Sequence, residues 1–318
     1  KKSIDIIYIV FFNHEILKKS LLSLTEFFYG SDYSINIVIL DNSNDQKLYL
    51  LNKKYFENFS NSFNIKYVLA HRNLGFGGGC NMGAKIFDSD FLLFLNCDTS
   101  FSNASLKGFK TMLNFCQKSS PIVGPKVVNK FGLIHPSCFS FDPISILLKP
   151  LRHLSHLGGK TKLISKYQAI KRRIDRITYE GIDKDKPSYV DWVSGCCLMI
   201  RRDFFELCGG FDNRYFLYFE DVDICRKAKK YNKSVIYNPI FEIIHDAQHS
   251  SRIKKGFINS IFTNKLARYH INSWLKYIFK WRGDYILKIK YIFLRIRNKK
   301  QLNQKLKYTL DFSLYQNI

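Results

Sequence analysis

The sequence predicts an α/β fold built on a largely parallel sheet, and two observations carry the prediction. Short apolar, β-branched or aromatic runs recur through the first hundred residues, at 4–10, 35–40, 64–69 and 91–95. Between the first two lies a stretch with helical spacing: Ile16, Leu17, Ser20, Leu21, Leu24 and Phe28. Strand, helix, strand at this interval implies βαβ units, with helices covering both faces of the sheet. Ligands of such sheets bind beyond the carboxyl ends of the strands, so the residues just after each run are the ones that matter.

Taken in order, those ends are polar or glycine-rich. Phe11, Phe12, Asn13 and His14 follow the first run, and Asp41, Asn42, Ser43, Asn44 and Asp45 the second. Arg72, Asn73, Leu74 and the cluster Gly75-Phe76-Gly77-Gly78-Gly79 follow the third; Asn96, Cys97, Asp98 and Thr99 follow the fourth. Residues 149–186 hold eleven Lys/Arg and four acids and are expected to be an irregular excursion. Regular patterning returns at 189–201, read as strand with a bend at Gly195, and again at 240–244, a strand that delivers His245 to the same sheet edge.

Composition narrows the class. A chain of 318 residues, 46% hydrophobic and 16% aromatic, can bury one large α/β domain plus an appendage. No run approaches the 18 apolar residues of a membrane span, and the first residues lack a signal-peptide pattern, so a soluble or peripheral protein is expected. The eight cysteines show no CxxC spacing, which suits reduced, buried thiols in a cytoplasmic protein rather than a disulfide framework. The net charge of +24 is uneven: from Arg252 to Lys307 there are sixteen Lys/Arg against a single acid, Asp284. That tail alternates aromatics with cations and reads as amphipathic helices suited to a polyanionic partner. The division expected is 1–250 for the main domain and 251–318 for a basic helical extension.

Several residue groups could carry chemistry. Asp41 ends an apolar strand, where a carboxylate can accept the imide N–H of a pyrimidine or simply close a turn. The glycine cluster is neither a GxGxxG nor a phosphate-binding P-loop, yet it lets backbone approach a ligand closely, and a ligand-facing loop is expected. Asp98 could hold Mg²⁺ or Mn²⁺, hard cations that prefer oxygen, or could cap a helix starting near Ser102. His245 with Asp98 makes a two-residue metal site. Most informative are the four acids Asp212, Glu220, Asp221 and Asp223 in an otherwise basic chain. Glu220 and Asp221 open a helical pattern continued by Ile224, Ala228 and Tyr231, and point about 100° apart if helical. They are either partners of a helix dipole or a general base with its neighbour.

The joint order of these elements, with Asp191-Trp192-Val193-Ser194-Gly195 and Ile244-His245-Asp246-Ala247-Gln248-His249, resembles the inverting nucleotide-sugar transferases of glycosyltransferase family 2, over roughly residues 4–275. Within that family it is most similar to bacterial rhamnosyltransferases of O-antigen and cell-wall glycan assembly. The resemblance implies the GT-A nucleotide-diphospho-sugar transferase fold, a Rossmann-like mixed, mainly parallel sheet, with a C-terminal helical extension. It implies Asp221 as catalytic base with Glu220 beside it, and Asp41 as reader of the pyrimidine. Asn13, Asn73, Gly75, Gly77 and Asn96 would lie on the donor side, and Trp192 and Gly195 on the sugar and acceptor side. Asp98 and His245 would hold Mg²⁺ or Mn²⁺, and His249 or Arg252 are open candidates for the donor diphosphate. Many relatives have proline where this chain has Cys97, which leaves the metal-binding acid in place but loosens its loop.

The implied donor is dTDP-L-rhamnose, with UDP-hexoses as the alternative, and the acceptor is a polyprenyl-diphosphate-linked saccharide at the inner face of the cytoplasmic membrane. There the basic tail would meet anionic lipid. A nucleic-acid-binding protein is the rival from another class, but the acids cluster where a polyanion would be repelled. A dinucleotide-binding oxidoreductase fits less well, because the turn after the first strand has no glycine.

Overall fold

The structure is a computed structural model that describes residues 1–59, 63–141, 146, 185–246 and 265–285. The parallel half of the sheet forms as its patterning predicts. β1 (Ser3–Val10) lies between β2 (Ser34–Asp41) and β4 (Phe91–Leu95), with β3 (Asn64–Leu69) outside β2, all parallel. Beyond β4 the sheet turns mixed. β11 (Cys197–Arg201) runs antiparallel to both β4 and β6 (Ile122–Val128), and β12 (Val235–His245) returns parallel to β6. The two-residue β5 (Thr99–Ser100) pairs with the end of β12. β7 (Ile134–His135) folds back on β6; β8 (Cys138–Phe139) pairs with β10 (Trp192–Val193); and β9 (Ser188–Val190) pairs with β12. The bend expected near Gly195 thus breaks 189–201 into three short strands.

Helices cover both faces, which is why the strands read as unbroken apolar runs. Ile4, Ile6, Tyr8 and Val10 of β1 face one core, packed by α1 (His14–Phe28) and α4 (Leu106–Lys118). Ile7 faces the other, with Leu92 and Phe94 of β4. That second face is covered by α3 (Gly75–Gly83), α5 (Arg202–Leu207), α6 (Glu220–Lys230) and α7 (Lys265–Lys280); α2 (Gln46–Glu57) connects β2 to β3.

Three local expectations are corrected. The helix expected near Ser102 starts at Leu106, because the Ser105 hydroxyl caps it by accepting from the Gly108 N–H at 3.0 Å. Ile16, placed on the apolar face of α1, is 37% exposed, while Leu17, Leu21 and Leu24 carry the packing. The glycine cluster is not a loop but the first turns of α3. Gly75 sits at φ +73°, and a Cβ there would collide with the Phe216 carbonyl. A Cβ on Gly77 would come within 3.2 Å of the Phe211 Cβ and 3.4 Å of the Glu220 Cβ. These glycines let α3 lie flush against the segment that leads into α6.

Candidate active site

The carboxyl ends of β1, β2, β4, β6 and β12 share one edge, and most of the singled-out residues lie along it. Asn13 stands exposed just after β1 and starts α1, its carbonyl accepting from the Leu17 N–H. Asp41 is a different matter. It is fully buried, with Oδ2 accepting from the Tyr67 hydroxyl at 2.5 Å and lying 2.8 Å from His14 Nε2, while Oδ1 accepts from the Ser43 N–H at 2.8 Å. Burial alone would raise its pKa, but the hydrogen bonds from His14, Ser43 and Tyr67 outweigh it and hold the carboxyl below the ordinary aspartate value. Asp41 is therefore an internal anchor of the β2 end and is not presented to a base. The neighbouring Asn42 ties this end to α3, donating from Nδ2 to the Gly75 carbonyl at 2.8 Å. The Asn73 side chain accepts from the Gly75 N–H at 2.9 Å, closing the turn into the helix.

Asp98 and His245 are brought together as the sequence suggests. Asp98 Oδ1 lies 3.0 Å from His245 Nε2, and the Asn96 amide nitrogen 3.3 Å from the same atom. The pairing of β12 with β5 and the Asp246 N–H bond to the Asp98 carbonyl hold the two loops in register. A carboxylate and an imidazole on one point, both partly exposed, are a donor set that could hold Mn²⁺ or Mg²⁺. Among the described residues no third His, Cys, Asp or Glu joins them.

The base candidate is linked to this pair through the backbone of two adjacent residues, Gly195 and Cys196. The Asn96 N–H donates to the Cys196 carbonyl at 2.9 Å, and the Gly195 N–H donates to Asp221 Oδ2 at 2.9 Å. Cys196, buried between them, has its thiol pushed up to about 11, chiefly by burial, with both Asp98 and Asp221 adding to the effect. A Cβ on Gly195 would stand 3.2 Å from the Asp221 Cβ, so glycine here lets the loop close on the carboxylate. The other oxygen, Oδ1, accepts from the Val222 N–H at 2.8 Å, in the first turn of α6, where backbone N–H groups and the helix dipole favour an anion. Asp221 remains partly exposed.

Its neighbour has the opposite environment. Glu220 is 6% exposed under Gly77 and Phe211, and its Oε2 is buried with no hydrogen-bond partner among the described residues. Burial, then the nearby charge of Asp221, pushes its pKa well above the ordinary glutamate value. Glu220 and Asp221 thus sit side by side in opposite surroundings, one carboxyl sealed from water and the other held by two backbone N–H groups. The turn that delivers them is strained: Tyr218 and Phe219 both adopt left-handed φ values, 71° and 72°, costing about 1–3 kcal/mol each.

Trp192 does not line this cleft. Its ring stacks on Phe139 with centroids 4.0 Å apart and is 6% exposed, because the β8–β10 pairing turns it into the core. Gly77 is likewise internal. His249 and Arg252 lie outside the described residues, as do most of 149–186 and the tail beyond Tyr285.

Sequence reasoning missed how the remaining acids of the 212–223 run are used. Asp223 is 1% exposed and bonded by the Tyr215 hydroxyl at 3.1 Å, Trp281 Nε1 at 2.8 Å and Lys280 Nζ at 2.7 Å. Asp212 takes Arg214 and the same Lys280, which hold its carboxyl below the usual range against the opposing effect of burial. Arg226 reaches Asp284 and the hydroxyls of Tyr277 and Tyr285. The spacing of Trp274, Tyr277 and Trp281 was the available signal, since aromatics at that interval form one face of a helix. That face packs on α6.

This architecture is that of a GT-A-type fold, with Asp98, His245 and Asp221 gathered at the carboxyl edge of its sheet. The comparisons agree on the class. Residues 6–130 match the model of Glycosyl transferase family 2, the family that the motifs resemble. The chain is 25% identical over 298 residues to rhamnosyltransferase WbbL of Escherichia coli (strain K12), covering 87% of this chain and 94% of that one. It is also 25% identical over 200 residues to the N-acetylglucosaminyl-diphospho-decaprenol L-rhamnosyltransferase of Mycobacterium tuberculosis (strain ATCC 25618 / H37Rv), covering 59% of this chain. That alignment spans 61% of the mycobacterial relative's length. Among solved structures, GalNAc-T7 with UDP, GalNAc and Mn²⁺ superposes with a TM-score of 0.54 at 14% identity, covering 77% of this chain and 44% of that one. A mannosyltransferase from Pyrobaculum calidifontis with GDP-Man and Mn²⁺ gives 0.51 at 10% identity, covering 78% and 58%. The mixed, mainly parallel GT-A fold expected from the sequence is borne out.

Proposed function

We propose that the chain is an inverting glycosyltransferase that moves L-rhamnose from dTDP-L-rhamnose to a polyprenyl-diphosphate-linked saccharide in bacterial surface-polysaccharide synthesis. The observation that carries the reading is the linkage of Asp221, through Gly195 and Cys196, to the loop bearing Asn96 and Asp98, with His245 alongside. The rhamnosyl and lipid-linked parts rest on the relatives named above.

In this reading Asp221 takes the proton of the acceptor hydroxyl as that oxygen bonds to C1 of the sugar. The bond from C1 to the diphosphate oxygen breaks, and the nucleoside diphosphate leaves from the opposite face. Gly195 N–H and the Val222 N–H in the first turn of α6 hold and aim Asp221, and beside it burial pushes the Glu220 carboxyl toward its neutral form. Mg²⁺ or Mn²⁺ held by Asp98 and His245 would neutralise the charge that develops on the diphosphate.

Membrane attachment is proposed to use the C-terminal region. Along α7 the outward residues include Lys265, Arg268, Leu275 and Phe279, with Arg282 just beyond, a stripe of cations around two exposed apolar side chains. Each cation near an anionic surface contributes about 1 kcal/mol. Among the described residues no helix is long and apolar enough to cross a membrane. The placement proposed is peripheral, on the cytoplasmic face.

A thermal-shift screen of dTDP-L-rhamnose against UDP-hexoses, with and without Mn²⁺, tests the proposal. Stabilisation by dTDP-L-rhamnose that depends on Mn²⁺ is the expected result. Preference for a UDP-hexose would replace the donor, and no response to any nucleotide sugar would overturn the proposal.

A further inference from the structure

The segment entering the acidic pair is touched along almost its whole length by one helix. From α7, Lys276 Nζ donates to the Arg214 carbonyl at 2.7 Å, and the Ser273 hydroxyl to the Leu217 carbonyl at 2.9 Å. The Tyr269 ring packs on Phe216 with centroids 4.4 Å apart. His270 lies against both Tyr218 and Phe219, at 5.2 and 5.4 Å, and Tyr277 closes on Phe219 at 5.2 Å. The contacts fall at 269/270, 273 and 276/277, one face of α7, and together they reach 214 and 216–219 of the turn. Two of the residues gripped, Tyr218 and Phe219, hold left-handed backbone that bulky L-residues avoid without support. Two α7-side anchors below, Lys280 and Trp281 on Asp223, fix the helix to α6 itself.

We infer that α7 is a template for the turn 214–219, and that His270 and Ser273 are positioning residues that aim the Glu220–Asp221 pair through it. This role rests on the reading of Asp221 as base. It makes the C-terminal helix part of the catalytic apparatus rather than an appendage.

The test uses the full chain carrying His270→Leu and Ser273→Ala together, which keeps the helix and most of its bulk. Two readouts are compared with the wild type: amide hydrogen exchange, and dTDP release from dTDP-L-rhamnose with Mn²⁺. Exchange across 218–223, including the Asp223 amide bonded to the Phe219 carbonyl, should accelerate at least tenfold while β1 and β4 stay protected. kcat should fall at least tenfold with KM for the donor changed less than twofold. Adding Tyr218→Asn, a residue that tolerates left-handed backbone, should recover part of the lost kcat. If the double variant does not fold, Lys276→Met, which removes a single bond of the same face, should move both readouts the same way by at least threefold. Unchanged exchange at 218–223, or exchange accelerated equally throughout the chain, overturns the template. Local loosening of 218–223 in a protein whose wild type releases no dTDP supports the template and refutes the proposed function instead.

Discussion

Replacing Glu220 with Gln isolates an acid that the fold holds away from water with one carboxyl oxygen unpartnered among the described residues. In the native protein the residue is 6% exposed and lies near Asp221 and the Cys80 thiol. Its folded pKa therefore lies well above the 4.5 of an ordinary glutamate. Below that ordinary value both folded and unfolded chains are protonated at this position, and the charge state contributes no difference. As pH rises past it, the unfolded chain releases a proton that the folded one keeps. Stability then falls with pH until the folded value is passed, by at most about 1.4 kcal/mol per pH unit. Glutamine keeps the shape and removes the titration. The variant should match the wild type most nearly near pH 4.5 and gain on it steadily as pH rises, with Tm separating by roughly 3 °C per unit through this window. Thermal melts of both proteins from pH 4.5 to 8.5 measure this directly. Parallel curves would refute the argument, since they would mean that Glu220 is ionised in the folded protein.

Three further outcomes follow from the site and its supports. Asp221→Asn should lower kcat about 10²–10⁴-fold, the usual share of a general base, while Mn²⁺-dependent stabilisation by dTDP survives; unimpaired turnover would sink the assignment. His245→Ala should abolish the Mn²⁺-dependent part of the thermal shift and leave the melting temperature without metal nearly unchanged, because His245 is partly exposed and lies against the polar side chains of Asp98 and Asn96. Gly75→Ala should destabilise by about 2–4 kcal/mol in urea unfolding, combining a left-handed φ of 73° with a collision against the Phe216 carbonyl. A loss under 0.5 kcal/mol would show that the α3 turn is far more yielding than its packing suggests.

The sequence by itself determined the parallel half of the sheet and the edge along which its polar strand ends gather. A two-residue period and a 3.6-residue period are local properties, written in side chains a few positions apart, so β1, β2, β3, β4 and α1 could be read directly. Strand ends are equally local, which is why Asp98 and His245 were placed on one edge 147 positions apart in the chain and meet at 3.0 Å. Only the tertiary structure decided what each polar group does once there. Asp41 lies at a strand end like Asp98, yet His14 and Tyr67 close over it, and no local pattern announces which neighbours will arrive. The glycines resembled a ligand loop because both a loop and a tight helix contact need the absence of a Cβ; Phe211, Phe216 and Glu220 settle it as packing. The aromatic face of α7 was as apt for lipid as for protein until Asp223 and Arg226 were seen beneath it. Periodicity fixes which face of an element is apolar, whereas burial and charge pairing depend on partners tens to hundreds of residues away, and those are chosen by the fold as a whole.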